Sequence, residues 1–486
     1  MSAPVGNVPG TGCDEGTGRG PGPEDRSVIL SRESVRGEPQ AVSRSLSAGL
    51  RAGPGLLRRP IGAFRRAVPV LAVSLAAVGC GSAAVGGGHG PRGVQTVSAS
   101  ATAHGPTPFY TPPDPLAPAP PGTLIRDQVV QGAGGIPPDA TLWRILYHSR
   151  TITGADIAVS GYVAVPPTAA PAGGYPILAW AHGTTGAATQ CAPSLFNSLE
   201  GEGPYPLPDI GSYLKAGWLV AATDYQGLGA PGGIHPYLVG ASEGYGVLDA
   251  AVAARQLPHL DVSATTVIYG HSQGGHAALF ADELAPSYAP SLHVIGVVAA
   301  APATGLSTIV LAIGHLNAPD DLAYFTLIGW TWSQTYPDLP ASDIFTASGA
   351  LLAGRTVTRL CDNGLVAALS GNASRDEFRP DASTNPSVVA HARLNDPGRV
   401  RTLPPMLIVQ GTGDNQVPAG LTDQFVTGTA CPLGDVVDYV HYPGAGHDQV
   451  TFEAVPRIIA WAAERLAGYQ AAPTTCGLPG DALTNH

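Results

Sequence analysis

The chain has 486 residues, 44% of them apolar, which is enough for one large core or two modest domains. Residues 1–79 carry ten arginines and six acids, so residues 80–486 are left with a net charge of −15. A body that acidic excludes nucleic acid as a partner, because phosphate binding needs a basic surface.

The first 57 residues are rich in Gly, Pro, Ser and Arg and have no hydrophobic period, so a disordered leader is expected. Arg58, Arg59, Arg65 and Arg66 precede an apolar run from Val68 to Val78. Basic residues followed by such a run have the layout of a secretory signal, and the run is too short to span a bilayer. A signal stands at the N-terminus, so translation is expected to start downstream of Met1, at a valine or leucine codon. The run ends Leu75-Ala76-Ala77-Val78-Gly79-Cys80-Gly81-Ser82, which resembles the lipobox of bacterial lipoproteins. Cys80 is therefore a candidate for lipidation and membrane attachment; the plain alternative is cleavage nearby with Cys80 uninvolved. Residues 80–122 read as a Gly/Ser/Pro-rich tether.

From residue 123 the pattern becomes regular. Strands are expected at Leu124–Val130, Leu142–His148, Ile157–Val165, Ile177–Ala181 and Trp218–Thr223, then a helix from Ser242 to Leu257. Thr265–Tyr269 reads as a strand, Gly275–Leu284 as a helix, and Val294–Ala300, Met406–Gln410 and Val436–His441 as strands before a closing helix over Thr451–Leu466. Apolar strands alternating with helices imply a mainly parallel sheet covered on both faces. The alternation stops over residues 305–400, which is too long for a simple crossover and reads as a cap over the sheet's carboxyl edge. Its aromatic run contains Tyr324, Phe325, Trp330 and Trp332, candidates either for an acyl-binding wall or for the cap's own core. The core would then comprise residues 123–304 and 401–477.

Between the strand at 265–269 and the following helix lies Gly270-His271-Ser272-Gln273-Gly274. Gly-x-Ser-x-Gly between strand and helix is the nucleophile elbow, in which the glycines leave room for strand and helix to crowd the serine. A serine hydroxyl needs a base, and the base needs an acid to orient it. In this architecture they follow in the order Ser, Asp or Glu, His. Asp414 comes just after the strand 406–410, and His447 after the strand 436–441, so Ser272, Asp414 and His447 are the candidate catalytic residues. Asp448 is expected to cap the final helix and Asp224 to fix a loop. His182, His271 and His276 are expected to form supporting hydrogen bonds. The backbone N–H groups of Gln273 and Thr184 are the candidate oxyanion donors.

Cys191, Cys361, Cys431 and Cys476 remain once Cys13 and Cys80 are set aside, an even number in a chain that reads as exported, so two disulfides are expected. No cofactor or metal spacing is present.

With the elbow, the Gly411-Thr412-Gly413-Asp414 and Gly444-Ala445-Gly446-His447 segments, Cys191-Ala192-Pro193-Ser194 and the Pro108-Phe109-Tyr110-Thr111-Pro112-Pro113 start, the chain resembles the secretory lipases of yeasts and their actinobacterial relatives. The resemblance implies an α/β-hydrolase fold, mostly parallel sheet with flanking helices and a helical cap inserted after the sixth strand. It implies hydrolysis of carboxylic esters including triacylglycerols, in lipid catabolism, with Ser272, Asp414 and His447 as triad, and the pairs Cys191–Cys361 and Cys431–Cys476. The alternatives are an acyltransferase or a polyester or amide hydrolase on the same triad, or a non-catalytic surface lipoprotein.

Overall fold

Strict alternation in the central strands decides the layering. Along β4 (Tyr175–Ala181), Ile177, Ala179 and Ala181 join one hydrophobic cluster while Leu178 and Trp180 join another on the opposite face. The computed structural model describes residues 108–468 and 474–477, apart from residues 132, 134, 197–206 and 314–318. All fall within one compact unit spanning residues 97–486. The expected leader, signal and Cys80 lie outside the described residues.

Nine strands form one sheet, in the order β1-β2-β3-β5-β4-β6-β7-β8-β9. They are β1 (Leu124–Val130), β2 (Thr141–Arg150), β3 (Asp156–Val165), β4, β5 (Leu219–Thr223), β6 (Val262–His271), β7 (His293–Ala300), β8 (Met406–Gly411) and β9 (Val437–Tyr442). The first three pair antiparallel, β3 pairs antiparallel with β5, and β5 through β9 pair parallel. This is an α/β-hydrolase sheet, mostly parallel with helices on both faces.

Helix α1 (Ile210–Lys215) packs on one face, α2 (Gly240–Ala254) and α3 (Gln273–Tyr288) on the other. Between β7 and β8 lie α4 (Leu306–Ile309), α5 (Pro319–Thr335), α6 (Ala347–Val357), α7 (Asp362–Leu369), α8 (Ser374–Glu377) and α9 (Pro386–Leu394). Strand β7 is the sixth strand counted from β2. These helices share a hydrophobic cluster with Ala187 and with Tyr237, Leu238 and Val239, and Phe325 and Trp332 belong to it; Trp332 is 1% exposed. Those two aromatics therefore pack the helical segment and its seat on the core, where Trp332 Nε1 donates to Tyr237 O at 2.9 Å. Trp330 packs against the same cluster and also lines a cavity of about 430 Å³ with Thr151, Gln226 and Gln334.

After β8 come α10 (Ala419–Phe425) and α11 (Cys431–Leu433), and after β9 come α12 (Gln449–Glu453) and α13 (Val455–Leu466). The single closing helix expected over 451–466 is thus two helices divided at Ala454. Pro456 explains the division, since it has no N–H to continue the helical ladder. No helix among the described residues is long and apolar enough to cross a membrane.

Candidate active site

Strand β6 ends at His271 and α3 begins at Gln273, which leaves Ser272 alone in the turn at φ 57° and ψ −118°. A non-glycine residue at positive φ persists only where its surroundings over-determine it. Here the backbone is held from three sides. Ser272 N donates to Ala300 O at 2.9 Å, and Ser272 O accepts from Ala303 N and His276 N, each at 3.1 Å. The two glycines are sterically required, because a Cβ on Gly270 would come within 1.8 Å of Gly274 O, and one on Gly274 within 1.9 Å of Ala181 O.

Asp414 follows β8 and His447 follows β9, adjacent parallel strands, so both loops rise from one edge. The loops interlock: Gly413 N donates to Ala445 O at 3.0 Å and Gly444 N to Thr412 Oγ1 at 2.8 Å. His447 Nδ1 lies 2.7 Å from Asp414 Oδ2, and both side chains are buried. Asp414 Oδ2 also accepts from Gln410 Nε2 at 3.0 Å, while Oδ1 accepts from Gln416 N and Val417 N, each at 2.9 Å. Burial works against ionisation of Asp414, but the bonds from His447 and from the Val417 and Gln416 amides outweigh it and hold the carboxyl below its ordinary range. A carboxylate at Nδ1 makes that nitrogen the donor and leaves Nε2 as the basic one.

The His447 loop is also tied to the elbow. His271 Nε2 donates to His447 O at 3.1 Å, and the two rings lie 4.7 Å apart at 44°. Burial, with the neighbouring His447 adding to it, pushes His271 down to about 3, so its ring is neutral and serves as a brace. Among the described residues Ser272 Oγ makes no hydrogen bond to His447.

The turn after β4 runs against the elbow, as the approach of Gly274 to Ala181 O requires. Thr184 is anchored through its hydroxyl, 2.8 Å from Tyr237 OH. No hydrogen bond of the Thr184 or Gln273 backbone N–H is found among the described residues. His182 Nδ1 donates to Gly183 O at 2.6 Å, and burial pushes it down to about 4.

Both expected disulfides are present, Cys191–Cys361 and Cys431–Cys476. Asp224 fixes a loop as expected: its buried carboxylate accepts from Ser160 Oγ at 2.6 Å, from Ser194 N at 2.9 Å and from Ser194 Oγ. Tyr110 OH lies 2.9 Å from the same serine hydroxyl, which ties the Pro108–Pro113 segment into the core. Asp448 departs from expectation. It occupies the N-cap position of α12, but its exposed side chain makes no cap hydrogen bond, and Thr451 bonds its backbone carbonyl instead.

His276 forms supporting hydrogen bonds as expected, but sequence reasoning missed Glu243 and His235, which complete a polar cluster at the elbow. Glu243, His235, His276 and the Gln273 side chain are all buried and bonded to one another. A signal existed: Ala, Gly, Val and Leu fill most of α2, and its polar residues Ser242, Glu243 and Asp249 are too few to make a solvated face on which Glu243 could be exposed.

A strained serine at the end of a central parallel strand, with a bonded Asp–His pair beyond two later strands, defines an α/β-hydrolase. The model of the secretory lipase family matches residues 207–474. The chain belongs to that family, whose class is carboxylic ester hydrolase. Among its relatives is a Mycobacterium tuberculosis protein named a probable inactive lipase, 27% identical over 382 residues, covering 74% of this chain and 82% of the relative. Lipase A of Arthroderma benhamiae is 26% identical over 390 residues, covering 74% and 79%. The solved structure of Candida antarctica lipase A in its closed state superposes with a TM-score of 0.64 over 77% of this chain and 88% of that one. At 20% identity that likeness is one of fold.

Proposed function

We propose that this protein is an exported serine lipase or esterase that cleaves lipid esters through an acyl-enzyme on Ser272. The observation that carries the reading is the buried 2.7 Å contact of His447 Nδ1 with Asp414, beside a serine held at positive φ. His447 Nε2 takes the Ser272 proton as Oγ attacks the ester carbonyl, and Asp414 orients and stabilises the imidazolium. The Gln273 and Thr184 backbone N–H groups receive the oxyanion. His447 then protonates the leaving alcohol and activates the water that releases the acid. The Ser272–His447 bond forms on substrate binding, as catalytic bonds are commonly long or misaligned beforehand. Residues 305–400 act as the cap, and the mature chain is tethered to a membrane through a lipidated Cys80.

Ser272→Ala should lower p-nitrophenyl ester hydrolysis by about 10⁶-fold if the triad acts as a unit. A fluorophosphonate probe should label the parent and not that variant. Rates across short to long acyl chains separate lipase from esterase, and products formed with competing alcohols reveal a transferase. Mass analysis of the mature N-terminal peptide tests Cys80. One relative's name, a probable inactive lipase, favours a second reading as a non-catalytic surface protein. Unlabelled parent enzyme would establish that reading in place of the first.

A further inference from the structure

Glu243 sits in the first turn of α2 with its side chain 0% exposed. An unpaired buried carboxylate is costly, so its partners define what it does. Oε1 accepts from Leu238 N at 2.8 Å and from Gln273 Nε2 at 2.7 Å. Oε2 accepts from His276 Nδ1 at 2.9 Å. Gln273 directly follows Ser272, and His276 lies one helical turn into α3.

The hydrogens can be assigned by chemistry. A carboxylate oxygen only accepts, so the Gln273 amide must present its nitrogen to Glu243. Its other amide hydrogen goes to His235 Nε2 at 2.7 Å, which makes that nitrogen the acceptor and Nδ1 the donor to Gln226 O at 3.1 Å. His276 faces acceptors on both sides, Glu243 Oε2 and, at 2.8 Å from its Nε2, Asn395 O. Both of its nitrogens must carry hydrogen for both bonds to be made, so His276 and Glu243 form a buried ion pair. Asn395 follows α9, and its Oδ1 accepts from Gly240 N at the start of α2 at 3.1 Å.

We propose that Glu243 is the positioning residue of the nucleophile elbow. It clamps the side chain of Gln273 and the ring of His276, so the first turn of α3 is held to α2 and, through Asn395, to the helical segment. The group it holds in place is the Gln273 backbone N–H, an oxyanion donor in the function proposed above, on which this inference rests. Reach, more than charge, is the property that matters. Glutamine at 243 keeps every bond once His276 turns neutral and accepts at Nδ1. Aspartate keeps the charge but is one methylene shorter and cannot hold both partners.

The test is a comparison of Glu243→Gln and Glu243→Asp in p-nitrophenyl butyrate hydrolysis, with fluorophosphonate capture rates and Tm for each. Glu243→Gln should stay within about fivefold of the parent, the equivalent of one ordinary net hydrogen bond. Glu243→Asp should lose up to about 10²-fold in kcat and in capture rate with KM little changed, the cost of a displacement near 1 Å at the reacting centre. If Glu243→Asp does not fold, Gln273→Met, which keeps the backbone N–H and removes the clamp, should show the same kcat loss. A folded Glu243→Asp or Gln273→Met with parental kcat overturns the proposal, as does Glu243→Gln no better than Glu243→Asp. The nucleophile assignment is checked separately: an inert parent, or an active Ser272→Ala, counts against Ser272 and not against the clamp.

Discussion

Gly274 stands against Ala181 so closely that a Cβ on it would come within 1.9 Å of the Ala181 carbonyl oxygen and 2.5 Å of its carbonyl carbon. The elbow and the turn that carries Thr184 are thereby pressed backbone to backbone, with no side chain able to yield. Gly274→Ala should cost at least about 3 kcal/mol, the upper range for overpacking. Gly420→Ala in α10, where nothing lies within 4 Å, should be neutral or slightly stabilising. Urea denaturation midpoints of the two variants check the contrast, and equal midpoints would contradict the packing described.

Asp414→Asn preserves shape but places an amide where His447 Nδ1 needs an acceptor. The ring can then take the wrong tautomer, with Nε2 protonated and unable to act as base. Hydrolysis should fall by about 10⁴-fold, the scale known for loss of a triad aspartate. Fold should be retained, since Gln416 N and Val417 N can still be accepted by the amide oxygen. Activity and circular dichroism on the same preparation test this; a variant within tenfold or so of the parent would remove Asp414 from the proposed mechanism.

Burial pushes Asp224 up to about 6 against the pull of its bonds from Ser160 and Ser194. The sign follows from linkage. An unfolded aspartate releases its proton near pH 4 or so, whereas the folded one keeps it until about pH 6. Over that window rising pH favours the unfolded state. The stability advantage of the parent over Asp224→Asn should therefore shrink between pH 4 and pH 6 and level off above. Urea midpoints of both proteins across this range measure it, and a gap that widens with pH would reverse the assignment.

The Cys191–Cys361 bond spans 170 residues and lies beside the turn after β4. Gly186 forms a β-bridge with Cys361, and Asp362 N donates to Thr185 O at 3.1 Å. Replacing both cysteines by serine should cost at most about 5 kcal/mol in chain-entropy terms and should also lower turnover, because it loosens the segment bearing Thr184. The Cys431–Cys476 bond, 45 residues apart, lies at the start of β9, where Thr475 N bonds Val437 O, far from the carboxyl strand ends. Its loss should cost about 4 kcal/mol at most and leave turnover unchanged at a temperature where the variant is folded. Parallel Tm and kcat measurements distinguish the two.

Local patterns were enough for the strands, the elbow and the positions of Asp414 and His447. Each depends on residues within one element: the β-branched run before Gly270, the glycines flanking Ser272, an acid or a histidine just beyond an apolar strand. The unbroken apolar run of β4, Tyr175–Ala181, announces a strand buried on both faces, whatever lies elsewhere in the chain. What the tertiary structure alone decided is which distant groups meet. Glu243 bonds Gln273 thirty residues on, and His276 reaches Asn395 across 119. A buried carboxylate takes whichever donors the packing of α2 against α3 brings to it, and no local spacing encodes that choice. The same holds for Asp224, whose partners lie on β3 and on the disulfide-bearing loop, and for Asp448, next to the histidine in sequence and exposed, with its carboxylate 4.0 Å from His271 Nε2.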